Sequence, residues 1–216
     1  MQKTNSSEKR CLICGQPLLR DGTGFALFKK ADYPICGQCQ MLFIPSIKKS
    51  VLYIYDDFFR SLLFRYKALG DLALAPVFLL SCQEQLARKY RHYVIVPAPS
   101  SPQDNLARGF AALPWIFKSL HLPFLPILYK NQEYKQAVSK HREDIYKVIR
   151  IHNGFQAAGK KILLVDDVMT SGHTLRACQK LLADYHPQCI DTLVLASRQV
   201  KRDSFLERII GEKYER

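Results

Sequence analysis

Hydrophobic and polar residues follow two different spacings along the chain, and these spacings predict helices and strands in alternation. After a short extended start at residue 51, apolar side chains such as Phe58, Leu62 and Tyr66 recur at the 3.6-residue period of an amphipathic helix. Short apolar runs such as Tyr93–Val96 are typical of buried strands. The predicted helices lie at residues 51–69, 76–89, 104–119 (with an interruption at Pro114) and 175–182. The predicted strands lie at residues 93–96, 125–128, 161–165 and 191–196.

Alternating helices and apolar strands predict an α/β fold in which helices cover both faces of a parallel sheet. The longest apolar stretch, Leu72–Cys82, contains Pro76 and is shorter than the roughly 18 residues that a membrane span needs. The first residues, MQKTNSSEKRC, are polar and do not resemble a signal peptide. We therefore expect a cytoplasmic protein without membrane insertion.

Composition and charge narrow the choice of partner. The chain has 216 residues, 48% of them hydrophobic and 24% charged, which is typical of a globular protein and excludes a mainly disordered one. Its net charge is +13, and the excess lies mostly in residues 1–50 and 101–150. Such an excess favours a polyanionic partner such as nucleic acid or a phosphate-rich ligand. The alternative is an ordinary surface of solvated lysines and arginines.

Four of the seven cysteines form two C-x2-C pairs near the start of the chain, Cys11 with Cys14 and Cys36 with Cys39. Two such turns can place four thiolates around one zinc ion, and a site with four cysteines is structural because no position remains for water. We therefore predict a zinc-ribbon module at residues 1–48, with a short strand at 24–28, and a second domain at residues 49–216. The alternative is four unrelated thiols. The other cysteines are interpreted as small buried side chains: Cys82, Cys178 and Cys189.

A second motif lies where the strand at 161–165 ends. Asp166 and Asp167 are followed by a loop of small and hydroxyl residues, Thr170–Gly172, that opens a helix. Backbone N–H groups at a helix N-terminus attract phosphate, whereas the two acids suit ribose hydroxyls or a Mg²⁺ ion that carries pyrophosphate. The alternative is a capped helix after a core strand.

The sequence VDDVMTSGHT at residues 165–174 resembles the phosphoribosyl-pyrophosphate (PRPP) loop of type I phosphoribosyltransferases. Other segments narrow the resemblance to the ComF family, also called ComFC, whose late-competence proteins join a four-cysteine zinc ribbon to a phosphoribosyltransferase domain. These segments are the helix residues Tyr55, Arg60, Leu63 and Lys67, the loop Val96–Ser100, the box Arg108–Phe110, and the pair Gln136 and Arg142. The chain departs from the usual family pattern at Ala98, Ser100 and Ala111.

The resemblance implies a role for individual residues. Asp166 and Asp167 would be the catalytic carboxylates that hold the ribose hydroxyls or Mg²⁺. The other residues implied to contact PRPP are Val168, Met169, Thr170, Ser171, Gly172, His173, Thr174, Ala98, Pro99, Ser100 and Arg108. For Arg108 a solvated helix position is an equal alternative, and we interpret Lys67 as a charge on the helix surface. Gln136 and Arg142 would close over the site as a lid.

The resemblance also implies a function in natural transformation, in which the protein aids the uptake of single-stranded DNA. Its implied partners are single-stranded DNA, PRPP or a related phosphate ligand, and a helicase-like competence ATPase, with recruitment to the DNA-uptake machinery at the membrane. One alternative is an active phosphoribosyltransferase of nucleotide metabolism that uses PRPP and Mg²⁺. Another is a PRPP sensor without turnover. The predicted DNA contacts are Lys29, Lys30, Lys48, Lys49, Lys130, Lys135, Lys140 and Arg142.

Overall fold

The computed structural model describes residues 9–18, 34–131 and 148–199, and it confirms the predicted parallel sheet with helices. The strands in this part of the chain are β1 (Val51–Ile54), β2 (Tyr93–Pro97), β3 (Leu128–Lys130), β4 (Ile149–Ile151), β5 (Lys161–Met169) and β6 (Cys189–Ser197). The main sheet has the order β1-β6-β5-β2, and every neighbouring pair in it is parallel. Strands β3 and β4 form a separate antiparallel pair.

Six α-helices lie in the same described ranges: α1 (Gly37–Met41), α2 (Asp57–Ala68), α3 (Gln83–Lys89), α4 (Pro102–Arg108), α5 (Ala112–Phe117) and α6 (His173–Ala183). Short 3-10 helices lie at Leu72–Leu79, Lys118–Leu120 and Gly154–Ala157. Among these described elements, no helix is long and apolar enough to cross a membrane.

Successive residues of β5 face opposite sides of the sheet, as strand geometry requires. Leu163 and Val165 pack into a core shared with α2, whereas Ile162 and Leu164 pack into a core shared with α6. All four side chains are fully buried. The strand is therefore fixed from both sides, and its carboxyl end, where the two acids lie, has a well-defined position.

Helix α2 begins at a clear cap. The carboxylate of Asp56 accepts a hydrogen bond of 2.8 Å from the backbone N–H of Phe59, which satisfies one of the free donors of the first turn. Phe59, Leu62, Leu63 and Tyr66 then form the buried face of the helix. The amphipathic helix predicted after a short extended start at residue 51 is thus confirmed.

Three predicted boundaries were wrong. The break in residues 104–119 occurs at Gly109, which adopts the left-handed conformation (φ 79°), and not at Pro114. Pro114 lies in the first turn of α5, where its missing N–H costs no helical hydrogen bond.

Residues 76–89 do not form one helix, because a 3-10 helix up to Leu79 precedes α3. The strand predicted at 125–128 begins only at Leu128, although the preceding segment pairs with β2 through an N–H···O bond of 2.8 Å from Leu125 to Ile95. The strand predicted at 24–28 and most of the polar segment 130–150 lie outside the described residues.

Candidate functional site

The candidate phosphate loop follows β5 directly. This strand runs on to Met169, so Asp166 and Asp167 belong to it, and α6 begins four residues later at His173. Between them Gly172 has a φ of 72°, and a Cβ atom there would lie 3.3 Å from Nη1 of Arg176. Only glycine fits this conformation without strain, and backbone N–H groups at the start of a helix such as α6 are donors of the kind that bind an anion.

Three residues that sequence reasoning missed hold this loop in place. Ser197, which is fully buried, donates a hydrogen bond of 3.1 Å from Oγ to the carbonyl oxygen of Met169. The backbone N–H of Arg198 donates to the same oxygen, and Nη2 of Arg176 donates to the carbonyl oxygen of Ser171 at 3.0 Å. No motif marks these residues, because each acts on the backbone of the loop from a neighbouring element.

The two acids are held differently. The backbone N–H of Asp167 donates to the Asp166 carboxylate at 2.9 Å. Burial and the adjacent Asp167 charge raise the pKa of Asp166 to about 7, although Lys67 and Lys130 oppose the shift. Asp167 itself pairs with Nζ of Lys67 at 2.5 Å.

The interpretation of Lys67 as a surface charge was therefore wrong. Its side chain is 30% exposed and reaches across from α2 to β5, a separation of 100 residues along the chain. Periodicity places Lys67 on a helix, but it does not show which strand end lies opposite that helix.

A cavity of about 460 Å³ opens at this end of the sheet. Of the residues predicted to contact PRPP, those that line it are Asp166, Asp167, Val168, Thr174, Ala98, Pro99, Ser100 and Arg108. Met169, Thr170, Ser171, Gly172 and His173 are not among the lining residues and continue the same loop beside the cavity. Ligands of parallel sheets bind at the carboxyl ends of the strands, which is where this cavity lies.

Arg108 faces the cavity at the end of α4. Its Nη1 donates to Oδ1 of Asn105 at 3.3 Å, and its guanidinium lies 5.9 Å from the ring centre of Phe110. Arg108 thus lines the cavity while its printed contacts are local, and its role at a ligand site stays a prediction.

Lys130 and Tyr129 of β3 also line the cavity. Sequence analysis assigned Lys130 only to DNA binding, because the pairing of β3 with β4 has no clear signal in the sequence. Gln136 and Arg142, the predicted lid residues, lie outside the described residues.

The four N-terminal cysteines come together as predicted. The Sγ atoms of Cys11, Cys14, Cys36 and Cys39 all lie within 4.8 Å of one another, and the distance from Cys14 to Cys36 is 3.7 Å. Zinc–sulfur bonds of about 2.3 Å in a tetrahedron place the sulfurs about 3.8 Å apart, so the cluster has the dimensions of a zinc site.

Hydrogen bonding at Cys11 suits a metal-bound thiolate. Burial acts to raise the pKa of Cys11, but backbone N–H groups of Cys14, Cys36 and Ile13 donate to its sulfur, and the net pKa is lowered to about 6, whereas burial and the neighbouring thiols raise the pKa of Cys39. One of these bonds, from the N–H of Cys36, measures 3.3 Å. The four residues can therefore hold a structural zinc ion.

Comparisons with known proteins agree with this arrangement. Residues 106–205 match the family model of the phosphoribosyl transferase domain. The competence protein ComFC of Streptococcus pneumoniae is 26% identical over 220 residues, which cover 86% of this chain and 99% of that protein. The competence protein ComFC of Bacillus subtilis is 25% identical over 184 residues, or 81% of this chain and 71% of that protein.

The chain is therefore similar over most of its length to competence proteins named ComFC. Its parallel sheet with helices matches the type I phosphoribosyltransferase fold. Among solved structures, a hypoxanthine-guanine phosphoribosyltransferase of Bacillus anthracis covers 61% of this chain and 76% of its own, with 15% identity and a TM-score of 0.42.

The candidate zinc site formed by the four cysteines can be tested directly. We expect one zinc ion per chain and its loss in a Cys11→Ser variant, because three ligands and an alcohol bind zinc more weakly than four thiolates. Metal analysis of the purified protein measures this. A Cys82→Ser variant is the matched control, since Cys82 is outside the cluster, and full zinc in Cys11→Ser would contradict the assignment.

Proposed function

We propose that this protein belongs to the ComFC family and serves natural transformation by binding PRPP with Mg²⁺, or a closely related phosphate ligand, together with single-stranded DNA. One observation carries the proposal: the cavity at the end of the parallel sheet is lined by two carboxylates, by basic side chains and by Thr174 at the start of α6, and the phosphate-type loop directly precedes Thr174. The names of the two relatives, both competence proteins, support the assignment to DNA uptake.

The chemistry of the cavity lining, together with that of the loop that leads into α6, matches the parts of PRPP. The loop at residues 170–174, which opens α6, offers N–H and hydroxyl donors to the 5′-phosphate. Asp166 and Asp167 provide oxygen atoms for the ribose hydroxyls or for Mg²⁺, which prefers such ligands. Arg108 and Lys130 supply positive charge for the pyrophosphate.

An active phosphoribosyltransferase is the second candidate, favoured by the match of residues 106–205 to that domain. In this reaction a nitrogen of the acceptor forms a bond to ribose C1 as the bond from C1 to pyrophosphate oxygen breaks, and pyrophosphate leaves with the electron pair. Bound Mg²⁺ would neutralise charge on the leaving group. The residues of this chain would contribute by positioning PRPP and by stabilising charge on the leaving group. The third alternative, a protein that binds PRPP without turning it over, would use the same cavity but would release no pyrophosphate.

Binding of PRPP is tested with the double variant Asp166→Asn, Asp167→Asn, which keeps the size of both side chains. We expect it to lose at least about tenfold in affinity for PRPP with Mg²⁺, because carboxylates bind the cation and the hydroxyls better than amides do. Isothermal calorimetry measures the affinity.

The matched control for this experiment is Asp184→Asn, which changes the exposed C-cap of α6 far from the cavity. Equal PRPP binding by the wild type and the double variant would contradict the proposed site. Pyrophosphate release in the presence of candidate acceptors separates the enzyme from the sensor.

DNA binding is tested by neutralising lysines near the cavity and on the zinc module. Lys48 and Lys49 are exposed just after the cysteine cluster, and Lys130 lines the cavity. Replacing these three by Gln should reduce the slope of log K against log salt for single-stranded DNA by about 2, since each phosphate contact contributes about 0.7. Fluorescence anisotropy at several salt concentrations measures the slope.

The matched control replaces Lys89, Lys160 and Lys180, three exposed lysines at the opposite end of the sheet. If the slope of log K against log salt is equal in the two triple variants, single-stranded DNA is attracted unspecifically to a basic protein and does not bind along a defined surface. The remaining lysines and arginines predicted to contact DNA lie outside the described residues: Lys29, Lys30, Lys135, Lys140 and Arg142.

The cellular role is tested by transformation of the source organism. A strain that lacks this gene should yield far fewer transformants than the wild type. A strain that carries the Asp166→Asn, Asp167→Asn allele should show a similar decrease if ligand binding serves DNA uptake. A strain with the Asp184→Asn allele is the control. Normal transformation in the deletion strain would remove the role in DNA uptake and favour the enzyme.

A further inference from the structure

Three consecutive residues of α2 connect three parts of the molecule that lie far apart in the sequence. Arg65 contacts the cysteine turn at residues 11–14, Tyr66 contacts the segment that follows the Arg108–Phe110 box, and Lys67 contacts Asp167. Consecutive residues on a helix point in directions about 100° apart, so one helix can reach all three.

Arg65 fastens the zinc module to the helix. Its Nη1 donates to the carbonyl oxygen of Ile13 at 2.7 Å, and its Nη2 donates to the carbonyl oxygen of Leu12 at 3.2 Å. The same Nη2 pairs with the Asp71 carboxylate at 2.8 Å, which orients the guanidinium. Leu12 and Ile13 lie between Cys11 and Cys14, so Arg65 holds the backbone of one of the two cysteine turns.

Tyr66 and Lys67 continue these contacts toward the cavity. Tyr66 is fully buried, donates from its hydroxyl to the carbonyl oxygen of Ala112 at 2.7 Å, and packs its ring against Phe110 at 5.4 Å. Lys67 pairs with Asp167 and lines the cavity itself. A displacement of α2 would therefore also displace Ala112, which lines the cavity, and the carboxylate of Asp167.

We infer that helix α2 couples the zinc module to the phosphate site, with Arg65 as the positioning residue that fastens the module and Lys67 as the residue that sets the Asp167 carboxylate. Loss of the metal loosens the turn that Arg65 holds. The helix then loses one of its anchors, and the loop that follows Asp167 becomes less ordered. The expectation that this coupling affects ligand binding rests on the proposed function.

Contact geometry favours a coupling that passes through the helix itself. The helix carries the cysteine-turn contact and the carboxylate contact only two residues apart, and an α-helix transmits displacement as a rigid element. Both contacts are charge-assisted hydrogen bonds, which are strong and directional. Arg60, on the same helix, forms its ion pair within the described residues with Asp57, three positions earlier, and provides a control.

Hydrogen exchange of zinc-loaded protein tests the coupling without any ligand. In an Arg65→Met variant, peptides that cover residues 163–174 should exchange about fivefold faster or more than in the wild type. An Arg60→Met variant should exchange like the wild type. Peptides that cover β2 should stay unchanged in both variants, which shows that the sheet is intact.

A second variant keeps the inference testable if Arg65→Met loses zinc or fails to fold. Arg65→Lys keeps the charge beside Asp71 but lacks the planar fork that reaches two carbonyl oxygens, so it should give an intermediate effect. If peptides that cover residues 163–174 exchange hydrogen at the wild-type rate in zinc-loaded Arg65→Lys or Arg65→Met protein, the inference is overturned.

Reciprocal linkage gives an independent measurement. If bound zinc raises the affinity for the ligand, the bound ligand must raise the affinity for zinc by the same factor. PRPP with Mg²⁺ should slow the removal of zinc by a chelator about fivefold or more in the wild type, and less in Arg65→Met. If PRPP binds and zinc removal is unchanged in the wild type, the coupling is wrong and the proposed function stands. If PRPP does not bind, the proposed function fails and the exchange experiment alone decides the coupling.

Discussion

The ion pair between Lys67 and Asp167 is the interaction on which the arrangement of the site depends. Two neighbouring carboxylates at the end of a buried strand repel each other, and the raised pKa of Asp166 reflects that repulsion together with burial. A pair of unit charges about 4 Å apart interacts by about 4 kcal/mol at an effective dielectric constant near 20. The ammonium group of Lys67, which α2 supplies, offsets part of this repulsion.

This ion pair depends on the position of α2. The buried face of the helix, with Phe59, Leu62 and Leu63, fixes its position on the sheet, and the Asp56 cap fixes where it begins. Those two constraints set the register that carries Lys67 to Asp167. The loop beyond the acids is fixed from the other side by Ser197 on β6. Helix, strand and loop therefore meet at one end of the sheet, and the cavity is the space that they leave.

Local patterns predicted the elements well and the contacts between them poorly. The apolar runs that became β2, β5 and β6 alternate with helical periodicity, and this alternation is a property of single segments. The cysteine cluster and the phosphate loop could be predicted because their residues are close in sequence or regularly spaced. The partner of Lys67, the role of Ser197 and the place of Lys130 depend on which elements become neighbours, and a sequence pattern does not encode that directly. The misplaced break at Pro114 has a local cause, since proline is harmless in a first helical turn and glycine at position 109 adopts a left-handed conformation instead.

The zinc module shows how a small segment can depend on a larger one. Fewer than about 50 residues bury too little apolar surface to fold alone, and a metal usually supplies the missing stability. In this protein Cys11, Ile35 and Cys39 also belong to the same buried cluster as Phe59 and Tyr66 of α2. Two of the four clustered cysteines, Cys11 and Cys39, are therefore part of the core that positions Lys67. Because the cysteine turn and α2 share this core and the hydrogen bonds of Arg65, the predicted boundary at residue 48 divides the sequence by composition, whereas the packing crosses it.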